Sequence, residues 1–116
     1  LHAAEKELAE AVITFNIIKN SRIPEPDRYG FDYKSYLHGL CESNGELRRY
    51  MLDEIRKGEL TKCENILGMM DDIYYFLLNF QYADAITRCL RRQVDYVRSM
   101  LERARSEVTL AKINMR

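Results

Sequence analysis

The sequence is poor in residues that interrupt regular structure, with five Gly and two Pro in 116 residues. That scarcity excludes a low-complexity tail. With 47% hydrophobic and 31% charged residues, it describes an ordered helical chain, long enough for one domain with a modest core. Net charge is also missing: eighteen Lys and Arg balance eighteen Asp and Glu, so overall charge makes no case for nucleic acid. No apolar run reaches the length of a membrane span, and no segment resembles a signal peptide. The three cysteines, Cys41, Cys63 and Cys89, fit neither a zinc nor a disulfide spacing. They read as reduced, buried side chains of a cytoplasmic protein. Histidine is limited to His2 and His38. A di-iron bundle needs Glu-x-x-His on two helices, yet Ser35 stands three before His38, so that chemistry is excluded. Strand signals, a Gly-rich phosphate loop and internal repeats are absent as well.

What is present is helical periodicity. Between Tyr33 and Gly58 the residues Tyr36, Leu37, Leu40, Leu47, Met51 and Ile55 recur at helical spacings. Ser43-Asn44-Gly45 looks like a turn on local propensity, but the apolar period keeps its phase across it, which predicts one continuous helix. Gly39 and Gly45 then mark close approach of another backbone or a ligand, and Gly58 the helix end. A first helix is predicted over residues 3–20, with Leu8, Val12, Phe15 and Ile18 as its core stripe and Ile13 and Ile17 widening it. Pro24, Pro26 and Gly30 make the loop that follows. Thr61 and Glu64 form a capping box that opens a third helix, buried through Ile66, Leu67, Met70, Ile73, Tyr74, Leu77 and Leu78. Asp71 and Asp72 within it are either exposed or hold a tyrosine or arginine across an interface. The aromatic residues Tyr74, Tyr75, Phe76, Phe80 and Tyr82 read as core rather than as a base-stacking platform. The last helix begins near Ala83, and Ile86, Leu90, Val94, Val97, Leu101, Ala104, Val108 and Ala111 form its seam. A seam of that length lines a bundle or a subunit contact.

Charge is segregated along the chain. Residues 1–33 carry four basic and six acidic groups, and the stretch from Asp84 onward carries eight basic and four acidic. A basic last helix is compatible with phosphates or with plain solvation. Four glutamates can be weighed together: Glu7 and Glu10 on the first helix, Glu42 and Glu46 on the second. Like charges four apart weaken a helix by a few tenths of a kcal/mol, roughly. Four facing carboxylates stay ionised only around a cation, and all-oxygen ligands select Mg²⁺, Mn²⁺ or Ca²⁺. Such a site fits phosphodiester hydrolysis. From spacing alone, solvated glutamates account for the pattern as well, and the discriminating geometry is convergence of the carboxylates.

Residues 23–47, IPEPDRYGFDYKSYLHGLCESNGEL, resemble the middle of the translin superfamily. That family has a similar EPD…GF loop, then YL-x-G, then a run ending in Gly/Ser-Glu-Leu. Lys57-Gly58-Glu59 is similar to the family's Gly-Asp turn. Glu7-Leu-Ala-Glu10-Ala-Val resembles the Glu-x-x-Glu-Ala-Val of its Trax (translin-associated factor X) branch. The resemblance covers nearly the whole chain, as apolar pattern over the last two helices, but only the C-terminal part of the family fold.

It implies an all-α, up-and-down bundle of about four helices with a long last one. The single domain over 1–116 is then a fragment without the family's N-terminal helices, in keeping with a first residue other than Met. The short linker after the first helix looks like a minimal prokaryotic or archaeal form. For function it implies a Trax-like endoribonuclease subunit, dependent on Mg²⁺ or Mn²⁺, of the kind that removes nicked passenger strands. Glu7, Glu10, Glu42 and Glu46 are then the catalytic and metal residues, and Trax has Asp at Glu42 where translin is apolar. It further implies RNA, single-stranded or nicked duplex, inside a barrel-like homo-oligomer, commonly octameric, with a translin-like chain as a possible partner and no membrane. Arg48, Arg49 and Arg56 are candidate phosphate contacts by their nearness to the site. The alternative is a translin-like RNA or single-stranded DNA binder with a vestigial acidic cluster, and a third reading is a structural bundle with solvated glutamates.

Overall fold

In the computed structural model, residues 2–83 and 88–115 are described, with side chains over 4–79 and 91–115. The order is α1 (His2–Asn20), a single 3-10 turn (Pro26–Tyr29), α2 (Tyr33–Arg56), α3 (Leu60–Ala83) and α4 (Arg88–Asn114). No strand occurs among the described residues, and no helix there is long and apolar enough to cross a membrane. Phe80, Tyr82, Ile86, Cys89 and Leu90, named above as core or thiol residues, lie outside the described side chains.

The second helix is the axis of the molecule. Asp32 caps its N-terminus, its carboxylate accepting from the Ser35 amide at 2.7 Å, which satisfies one of the free donors of the first turn. The helix continues through Ser43-Asn44-Gly45 as the period predicted. Asn44 is fully buried, and its amide donates back to the Leu40 and Cys41 carbonyls at 2.8 and 3.2 Å. Beyond Arg56 the chain turns at Gly58, whose φ of +78° is a conformation that L side chains resist. There the Glu59 amide donates to the Glu54 carbonyl and the Gly58 amide to that of Ile55, both at 2.9 Å, a Schellman closure. That turn, rather than a capping box, starts α3: the helix begins at Leu60 and places Thr61 inside its first turn.

The third and fourth helices run antiparallel, fastened by Asp71–Arg105 at 2.8 Å and Glu64–Lys112 at 2.8 Å. Asp71 thus holds an arginine across an interface, while Asp72 is exposed. These two helices and α2 enclose Leu40, Leu47, Met51, Met70, Ile73, Leu77, Val97 and Val108, all fully buried or nearly so. Each such side chain contributes about 1.5–3 kcal/mol by leaving water. The expected seams of α2, α3 and α4 are buried over their described lengths except at Ile55, Tyr74, Leu78 and Ala111, which are partly buried. Cys41 and Cys63 are buried free thiols. The aromatic reading needs correction: Tyr75 is 62% and Phe76 42% exposed.

The first helix lies along α2. Glu5 accepts from the Asp32 amide at 3.2 Å at the start of both helices. Ser21, just past the end of α1, accepts from Asn65 of α3 at 2.8 Å. The buried face of α1 is Ala9, Ile13 and Ile17: the two isoleucines expected at the margin of the stripe are its centre, and of the predicted stripe Ile18 packs partly buried against the core. Leu8 and Phe15 are 56% and 58% exposed. The helix turned because its partner surface is Gly39. A Cβ there would lie 2.9 Å from Ile13 Cδ1 and 3.0 Å from the Ala9 Cβ, so the smallest residues face each other and the helices close up.

Candidate functional site: an acidic cleft

The Ala9–Gly39 contact has a direct effect on the residues beside it. Glu10 follows Ala9 on α1, and Glu42 and Glu46 are the next positions one and two turns beyond Gly39 on α2. All three line one pocket of about 320 Å³. Its far side is α4, through Tyr96 and Met100. Glu7, the fourth predicted acidic residue, is exposed and stands at the edge, close enough for Glu10 to feel its charge.

The electrostatics of this cleft are strained. Burial raises the Glu10 carboxyl above its ordinary value of 4.5, and Glu42, Glu46 and Glu7 push it the same way, with His38 opposing. A carboxylate surrounded by carboxylates prefers to keep its proton. The cations at hand relieve only part of this. Arg49 reaches Glu46 at 3.5 Å, with both side chains substantially exposed, a pairing of small energetic weight. His38 engages the Gln93 amide at 3.2 Å. Among the described residues no group of three or more His, Cys, Asp or Glu side chains is drawn together as a metal cage would require. The three glutamates share a pocket without meeting at one point.

The predicted arginines separate. Arg48 is bound in a fork to Glu107 of α4, Nε to Oε1 at 2.8 Å and Nη2 to Oε2 at 2.6 Å, so it braces the cleft wall. Arg49 lies at the pocket and Arg56 is exposed at the end of α2. Tyr96 went unnoticed in the sequence. It carries no charge and sits off the seam of α4. The one usable signal was Gly45, expected to admit a close neighbour: a Cβ there would collide with the Tyr96 hydroxyl.

By fold and site the protein is an all-α bundle with a carboxylate-lined cleft between its first, second and fourth helices. Its residues 4–110 match the Translin family, and the chain belongs to that family. Over 109 residues it is 31% identical to an uncharacterized protein of Methanocaldococcus jannaschii, covering 93% of this chain and 49% of that one. Among solved structures, apo-NeC3PO is similar with a TM-score of 0.85 at 26% identity, covering 95% of this chain and 57% of that one. AfC3PO, solved as a complex with duplex RNA, is similar with a TM-score of 0.80 at 30% identity, covering 96% and 58%. The chain thus spans about half the length of the relatives it matches.

Proposed function

We propose that the chain is the catalytic part of a Trax-like endoribonuclease subunit that hydrolyses RNA phosphodiesters in the acidic cleft, within a homo-oligomer and with Mg²⁺ or Mn²⁺. The observation that carries this is that Glu10, Glu42 and Glu46 line one pocket, where burial and the neighbouring carboxylates raise the Glu10 carboxyl. Hard oxygen donors and unrelieved negative charge fit a divalent cation of this class. Glu10, Glu42 and Glu46 would hold it, with Glu7 entering from the edge. When bound, such an ion supplies an acidified water and charge neutralisation at phosphorus. The chain's own contribution is positional. The carboxylates fix where positive charge can sit and offer acceptors for a proton of the attacking water. Arg49 and Arg56 meet the phosphates flanking the scissile one. The duplex RNA bound by AfC3PO supports RNA as the ligand.

Cleavage of a single-stranded RNA tests this, with Mg²⁺, Mn²⁺ or EDTA, for wild type and Glu46→Ala, with RNA binding measured alongside. The expected result is metal-dependent cutting that drops by about 10²-fold or more in Glu46→Ala while binding is retained. RNA binding without cutting under either metal would assign the chain to the non-catalytic, translin-like binders. Cutting that persists in Glu46→Ala would remove the acidic cleft from the reaction.

A further inference from the structure

Glu10 on α1 and Glu42 and Glu46 on α2 line the cleft with acceptors, and a phosphodiester also carries only acceptors at its reactive end. Apart from the arginines assigned to the flanking phosphates, a donor to the scissile one has to come from another group of the cleft. Arg48 is committed to Glu107 in a fork, and Arg49 leans on Glu46. The remaining polar group lining the pocket is the hydroxyl of Tyr96 on α4. We propose that this hydroxyl donates a hydrogen bond to a non-bridging phosphate oxygen of RNA in the cleft, and that Gly45 is glycine in order to admit it. The proposal rests on the endoribonuclease reading.

The placement is specific. Gly45 lies on α2 between Glu42 and Glu46, facing the pocket. Among the described residues, the atoms near a Cβ built there belong to the Tyr96 ring and hydroxyl. Glycine inside a helix is less stable than alanine, and nothing in the α2 backbone calls for it. The helix is regular through this point and α1 does not approach here. The missing side chain is accounted for by the hydroxyl that occupies its space. That hydroxyl makes no hydrogen bond to a described residue, although Glu42, Glu10 and Glu46 are all near enough to act on it. Burial first, then those three carboxylates, push its pKa above the ordinary 10.0, against Arg48, which lowers it. A tyrosine hydroxyl is an uncharged O–H at neutral pH, so it can donate among anions without cancelling the charge that a divalent ion requires. As water bonds to phosphorus and the P–O bond to the leaving nucleoside breaks, negative charge grows on the non-bridging oxygens. A donor already in place acts most strongly at that stage, so its loss lowers kcat more than it raises KM.

The test is steady-state RNA cleavage by the wild-type protein, Tyr96→Phe, Gly45→Ala and Glu46→Ala, with melting temperatures recorded. Tyr96→Phe keeps the ring and removes only the hydroxyl. Its kcat is expected to fall by about 10- to 100-fold, with KM within about twofold and the melting temperature unchanged. Gly45→Ala keeps every carboxylate yet displaces the hydroxyl, so it lowers kcat similarly, and the double variant is no slower than the worse single one. If Gly45→Ala does not fold, Tyr96→Phe decides alone. Wild-type kcat in Tyr96→Phe, with Glu46→Ala inactive, overturns the role of Tyr96 and leaves the nuclease reading standing. A wild-type protein with no metal-dependent cleavage overturns both.

Discussion

Two glutamates of α2 sit eight residues apart in similar local settings and meet opposite fates. Glu46 has Arg49 three residues on, at 3.5 Å, and Glu54 has Lys57 three residues on, also at 3.5 Å. Along the helix they are alike. What differs is the second helix. At Glu54 it is α3, which brings Lys62 to 4.0 Å. At Glu46 it is α1, which brings Glu10 into the same pocket. Glu54 is only 3% exposed, and the charges that face it are of opposite sign, Lys57 at 3.5 Å and Lys62 at 4.0 Å, although its Oε2 has no hydrogen-bond partner among the described residues. The cleft glutamates are half-buried and their charges are compounded. Burial alone therefore does not separate a structural carboxylate from a functional one. The sign of what a neighbouring helix contributes does.

The widest test of that contrast is a matched pair of isosteric substitutions. Glu10→Gln should lower RNA cleavage by about 10²-fold or more without lowering stability, since a repelled charge is removed. Glu54→Gln should leave cleavage intact and lower stability by about 1–3 kcal/mol, read by chemical denaturation. Equal stability losses at both positions would break the comparison. A smaller effect should come from the ion itself. At roughly ten- to hundredfold over its Kd, Mn²⁺ should stabilise the wild type by about 1–3 kcal/mol and Glu10→Gln far less. A thermal shift equal in the two proteins would detach the cation from the cleft. The smallest effect is pH dependence in EDTA. The raised carboxyl of Glu10 binds protons more tightly folded than unfolded. Its contribution to stability is thus present below its ordinary 4.5 and lost as pH rises through the raised value. Glu10→Gln should flatten that part of the curve.

Much of the bundle was legible because α2 keeps its apolar phase across Ser43-Asn44-Gly45, and because the α3 and α4 stripes are one-sided. The grouping of Glu7, Glu10, Glu42 and Glu46 was open from the residues alone and was favoured by the family resemblance, since spacing on two separate helices does not say which faces meet. The face of α1 was misread for a related reason. Apolar residues cover most of its circumference, from Leu8 and Ala9 round to Phe15 and Ile17, and periodicity cannot choose among them. The choice was made by Gly39, thirty positions from Ala9. The start of α3 escaped because a backbone turn at Gly58 outranked the side-chain pattern of Thr61 and Glu64. The bond of Arg48 to Glu107, 59 residues apart, has no local signature at all, so nearness in sequence could not show it.

The Ala9–Gly39 contact behaves as a mechanical stop. With one side chain a single carbon and the other absent, α1 already rests against α2, and position 39 has nothing further to remove. Glu10 rides on one side of that stop and Glu42 on the other. The gap between them can therefore be widened by any larger residue at position 39, but no substitution there can narrow it. The cleft is set at the lower limit of its own gauge.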